Sequence, residues 1–88
     1  MATQQKKIFV PRPPRQWINA ETVVDDGNGR LLASRIWNIS KGGFMAECEE
    51  KLPIGAHIVV ELPKRGKVRA EVRWAVGWRF GAKILGEA

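Results

Sequence analysis

From Val68 to Leu85 the chain reads VRAEVRWAVGWRFGAKIL, and apolar and charged side chains change places at nearly every step. That period of two constrains the fold more than any other feature. Successive side chains on a strand leave opposite faces, whereas the apolar positions of a helix recur every three or four residues. Val68, Ala70, Val72 and Trp74 are expected inward, with Arg69, Glu71 and Arg73 outward. In the second half Trp78, Phe80, Ala82 and Ile84 are expected inward, with Arg79 and Lys83 outward. Trp74 and Trp78 are therefore read as packing residues near the end of a hairpin.

The same pattern runs back through the chain. WINAETVVDDGNGRLLASRIWNIS, residues 17–40, is two apolar-rich runs joined by DDGNG, whose Asp, Asn and Gly accept the positive φ of a hairpin turn. GFMAEC alternates Phe44, Ala46 and Cys48 against Met45, Glu47 and Glu49. EEKLPIG reads as a turn or a single helical turn, AHIVVELP as a fourth strand, and KRG as a second hairpin. No segment has the length and period of a regular helix. Six short strands in one sheet leave two exposed edges, and closure into a barrel removes them. The expectation is an all-β, six-stranded antiparallel barrel over residues 17–88 with little helix, preceded by a flexible basic arm over residues 1–16. A chain of 88 residues buries only about 60–65% of the surface it exposes when unfolded, so the core will be thin.

Charge and cysteine usage narrow the function. The formal net charge is +6, from 15 Lys and Arg against nine Asp and Glu. Lys6, Lys7, Arg12 and Arg15 precede any acidic residue, which leaves eleven cations against nine acids in the rest. Proteins that coat nucleic acid spread a basic stripe over a face. Here the excess sits in the arm, so a nucleic-acid polymer is not the expected partner. Cys48 is the only cysteine, which excludes an intrachain disulfide and a multi-cysteine zinc site. The apolar Ile8, Phe9 and Val10 are cut short by Pro11, and no segment is long enough to span a bilayer, so a cytoplasmic protein without membrane insertion is expected. His57, the single histidine, opens a strand with no carboxylate or nucleophile at local spacing. Neither a phosphate-binding glycine loop nor a metal-ligand cluster appears. No catalytic residue, no metal and no enzyme activity are expected.

Binding remains, and two stretches point to it. In RPPR, residues 12–15, two prolines favour polyproline II, which places Arg12 and Arg15 on one edge roughly 9 Å apart. Each guanidinium can fork onto phosphate oxygens or the O6/N7 edge of guanine, or stack on a base. In NISKGG, residues 38–43, Asn38 and Ser40 share a parity and leave one face. Gly42 and Gly43 are expected to reverse the chain with positive φ and to admit a ligand close to the backbone. The Asn38 carbonyl oxygen is suited to accept from a guanine N–H. Trp17 and Trp37 fall near this site and are expected half-buried at the barrel rim.

These residues together resemble the PilZ domain, a bacterial family that binds the second messenger cyclic di-GMP on a six-stranded barrel. The family pairs R-x-x-x-R ahead of strand 1 with [D/N]-x-S-x-x-G after strand 2. NISKGG matches the second motif in full, as Asn38, Ser40 and Gly43. VRAEVRWAVGWRFGAKIL resembles the family's last two strands, and the likeness extends over about residues 12–85. The arm departs from the pattern: Arg12 and Arg15 are three apart, not four. Arg15 takes the second arginine's place, and Arg12 stands in for the first where the prolines lengthen the loop. The resemblance implies a single-domain receptor that holds cyclic di-GMP with Arg12, Arg15, Asn38, Ser40, Gly42 and Gly43. It implies no further cofactor, signalling by ordering of the arm towards a downstream protein partner, and a monomer or weak dimer.

Three other readings compete. A PilZ-like adaptor that works by protein contact, without the nucleotide, is the nearest. A small barrel for RNA or single-stranded DNA is favoured by net charge, but it needs aromatics interleaved with basic residues on an exposed face, and most aromatics here fall in core phase. Asn and Ser before Gly-Gly also serve as plain turn chemistry. The match of NIS to a glycosylation sequon and of PRPP to P-x-x-P carry no supporting context.

Overall fold

The computed structural model describes residues 16–88. Six strands follow one another: β1 (Gln16–Asp25), β2 (Leu31–Ile39), β3 (Gly43–Cys48), β4 (His57–Leu62), β5 (Gly66–Val76) and β6 (Arg79–Glu87). They close into an antiparallel barrel in the order β1-β2-β3-β6-β5-β4. β1 begins at Gln16, one residue ahead of the expected boundary, and the expected arm otherwise lies outside the described residues. Glu49 to Ala56 forms bends and a turn with no helix, and Leu52 drops from it into the core. No helix long and apolar enough to cross a membrane occurs among the described residues.

The alternation of the sequence becomes the core. Ile36, Ala46, Ile58, Val60, Val68, Ala70 and Val72 point inward from five strands, and Phe44 meets Phe80 edge to face with ring centroids 6.0 Å apart. Alanines recur at inward positions because a six-stranded barrel leaves little radius for side chains. The hairpin turns use positive φ at Gly27 and Gly29, and at Lys64 and Gly66. The β1–β4 seam is the shortest ladder, with two registered pairs, Val24 with Val60 and Asp25 with Val59. The Thr22 hydroxyl extends it by donating to the Glu61 carbonyl at 2.7 Å.

Two bulges break the alternation. On β2, Ile36 faces Ala46 while Asn38 faces Met45, so Trp37 is an extra residue against β3. On β5, Val72 faces Ala82 while Trp74 faces Gly81, so Arg73 is an extra residue against β6. An extra residue reverses the facing of everything beyond it. Ile39 thereby takes the inward place opposite Phe44, and Ala75 that opposite Phe80. Trp74, expected in the core, turns outward and is 40% exposed. Trp78, also expected to pack inward, sits in the β5–β6 turn at 57% exposure, with the Lys51 ammonium 5.1 Å from its ring centroid.

Candidate functional site

The bulges lay one row of residues across the outer wall. Trp17 pairs with Asn38, Asn38 with Met45, Met45 with Gly81 and Gly81 with Trp74. Cross-strand partners share a face. Met45 lies between the inward Phe44 and Ala46, so this row is the barrel's exterior. Beside it runs a cleft of about 280 Å³ bordered by Asn38, Ser40, Gly43, Arg73, Trp74 and Lys83. Gly42 lines it as well. The four candidate residues in NISKGG thus border one cleft, while Arg12 and Arg15 lie outside the described residues.

The turn from Ser40 to Gly43 is held from three sides. The Ser40 amide donates to the Gly43 carbonyl at 2.8 Å, and the Ser40 hydroxyl donates to the same oxygen at 3.3 Å. The Ile84 amide donates to the Gly42 carbonyl at 2.9 Å, which ties the turn to β6. From the β4–β5 hairpin, Arg65 donates through Nη2 to the Ser40 carbonyl at 2.9 Å and through Nη1 to the Lys41 carbonyl at 3.2 Å. The expectation of positive φ at Gly42 and Gly43 does not hold, since neither adopts it. Gly43 is required for another reason: a Cβ there would stand 2.6 Å from the Ala82 carbonyl oxygen. A Cβ at Gly42 would meet nothing within 4 Å.

Asn38 is 3% exposed, and its Nδ2 has no hydrogen-bond partner among the described residues. Leaving a buried donor unpaired costs about 1–3 kcal/mol. The sequence pointed to the carbonyl oxygen of this amide as the recognising atom, yet the free group is the donor. A donor matches the acceptors O6 and N7 on the guanine edge.

Trp74 forms the opposite wall. Its indole lies against Gly81 so closely that a Cβ there would overlap the ring. An aromatic laid over a strand glycine replaces the packing that the missing side chain would supply. The ring keeps an exposed portion beside the cleft. Arg73 and Lys83 add two cations, and no carboxylate borders the cleft. The ion-paired guanidiniums, Arg30, Arg35 and Arg79, are elsewhere. A larger hollow of about 590 Å³ is lined by Glu21, Glu47 and Glu49 with Arg35, the wrong sign for an anion. Among the described residues no group of three or more His, Cys, Asp or Glu side chains is placed to hold a metal ion.

Arg65, Arg73, Trp74 and Lys83 escaped the sequence reading because alternation assigned them to the core or to an undifferentiated surface. The signal available was the glycine in RFGAK: a strand glycine facing a tryptophan marks a ring lying flat on the sheet. Trp37 is half-buried as expected, with Nε1 donating to Glu47 Oε1 at 3.0 Å, whereas Trp17 is 74% exposed. No protein-family model matches the chain, and no curated protein matches it closely enough to mark a relative.

Proposed function

We propose that the protein is a cyclic di-GMP receptor of the PilZ type, with the nucleotide held in the cleft beside the Ser40–Gly43 turn. The observation that carries the reading is the coincidence of motif and surface. Asn38, Ser40 and Gly43 border a cleft walled by an exposed tryptophan and two cations without a carboxylate. In this arrangement Trp74 offers a face to a purine, Arg73 and Lys83 offset phosphate charge, and the Asn38 amide donates to a guanine edge. Gly43 keeps the turn against β6, so the ligand meets backbone rather than side chain. Arg12 and Arg15 close over the exposed side of the nucleotide from the arm, and this ordering presents a new surface to a downstream protein.

The adaptor reading, in which the nucleotide plays no part, is favoured by one observation: the Ser40 hydroxyl already donates within its own turn. Calorimetric titration of the whole chain with cyclic di-GMP separates the two. The receptor reading expects saturable heat that is lost on Arg15→Ala and weakened on Ser40→Ala. Absence of heat through the high micromolar range, together with a protein partner retained by Arg15→Ala, would leave the adaptor.

A further inference from the structure

On the other side of the Ser40–Gly43 turn, at the mouth of the barrel, lies a second hollow of about 550 Å³. Its lining is Trp17, Ile18, Ile39, Pro63, Lys64 and Arg65. We infer that this hollow is a second purine-nucleotide subsite, with the Trp17 indole stacking on the base and the Lys64 ammonium and Arg65 guanidinium holding its phosphate. The choice of nucleotide rests on the reading given under the proposed function, while the geometry of the hollow stands apart from it.

Four observations converge. The outer cleft, at about 280 Å³, falls just short of the roughly 300–1,000 Å³ of pockets that enclose drug-sized ligands, so a dinucleotide seated there has more to place. Trp17 is 74% exposed, more than any other large apolar side chain among the described residues, and stands over a floor made by Ile18, Ile39 and Pro63. An aromatic face beside cations, with no acid in the lining, is the composition that stacks bases and neutralises phosphate. Lys64 is the only non-glycine with positive φ among the described residues, at 67°. Glycine would occupy that position without strain, so the lysine there is held at a conformational cost that its ammonium does not repay within the hairpin.

The two subsites are joined through the turn. Arg65 spends two of its five N–H donors on the Ser40 and Lys41 carbonyls and keeps the others for a ligand. Trp17 is the register partner of Asn38, so the stacking face of one site and the free amide of the other lie on neighbouring strands. A nucleotide in the hollow would therefore stiffen the turn that borders the outer cleft.

The test follows the Trp17 indole N–H resonance of the whole protein during titration with guanosine monophosphate and, separately, with cyclic di-GMP. Both are expected to move it, and Lys64→Gly is expected to weaken that response roughly tenfold, the loss of one charge-assisted contact. Because glycine relieves the positive φ, Lys64→Gly should melt no lower than the wild type, which separates lost binding from lost folding. Movement of Trp17 with the monophosphate while cyclic di-GMP leaves Ser40 and Asn38 still would keep this hollow and remove the receptor reading. Movement of Ser40 and Trp74 with cyclic di-GMP while Trp17 and Arg65 stay fixed would keep the receptor and overturn the hollow. A Trp17 signal unmoved by either nucleotide at millimolar concentration also overturns it.

Discussion

The stretch of β5 from Val68 to Val72 and the stretch from Arg73 to Val76 belong to one strand and obey different rules. In the first, every second side chain enters the core and its neighbours face water. In the second, one extra residue turns Trp74 onto the outer wall and hands the inward place to Ala75. β2 repeats the contrast on either side of Trp37, with Ile36 inward before the bulge and Asn38 on the wall after it. Regular pairing builds the core, and the two interruptions build the cleft. A bulge re-aims a side chain at the cost of a ladder step. Here two bulges re-aim an amide and an indole towards each other.

The comparison breaks most visibly in the regular region. Phe80 is 1% exposed and packs edge to face on Phe44, so Phe80→Ala should cost about 3–5 kcal/mol and leave a chain this small mostly unfolded at ambient temperature. Urea denaturation followed by far-ultraviolet circular dichroism reads the loss. Gly43→Ala comes next. Its Cβ would press on the Ala82 carbonyl oxygen, and a loss of about 1–3 kcal/mol is expected together with faster exchange of the Ile84 amide, because the turn must lift from β6.

In the interrupted region the same scale of effect should appear in affinity rather than in folding. Gly81→Ala drives the Trp74 ring off the strand, so its fluorescence should change at once, and cyclic di-GMP affinity should fall by about 1–3 kcal/mol, the worth of one stacked base. Asn38→Leu is expected to act in the opposite sense on stability. It removes a buried donor that has no partner among the described residues, so the melting midpoint should rise by the equivalent of about 1 kcal/mol while nucleotide binding is lost. A variant at once more stable and inert would mark Asn38 as a residue retained for its ligand.

How much of this was legible beforehand follows from the same contrast. The six strands, their order of turns and the barrel closure were readable because period-two alternation and glycine-rich turns are local signals, carried by stretches such as residues 66–72 and 25–30. The cleft was readable only at NISKGG, where side-chain chemistry and turn chemistry coincide. Trp74 was misread because a bulge is settled by pairing with another strand, and nothing in RAEVRWAV announces that β6 offers one residue fewer. Arg65 was passed over for a similar reason. Its partners, the carbonyls of Ser40 and Lys41, are more than twenty positions away and have no side-chain signature. The required role of Gly43 is legible in kind but not in cause, since close approach to Ala82 replaces the positive φ that a Gly pair suggests.

The central claim is that the re-aimed Asn38 amide and Trp74 indole form one binding surface for cyclic di-GMP. It is tested most directly by following the Asn38 side-chain NH2 and Trp74 indole N–H resonances while the nucleotide is added to the isotopically labelled whole chain. The account predicts that both signals move together and saturate at a common concentration, with the Asn38 protons shifting as the amide gains an acceptor, while core amides such as Ile58 and Val72 stay in place. Stationary Asn38 and Trp74 signals at millimolar nucleotide, or movement confined to the acidic hollow around Glu21, Glu47 and Glu49, would contradict it.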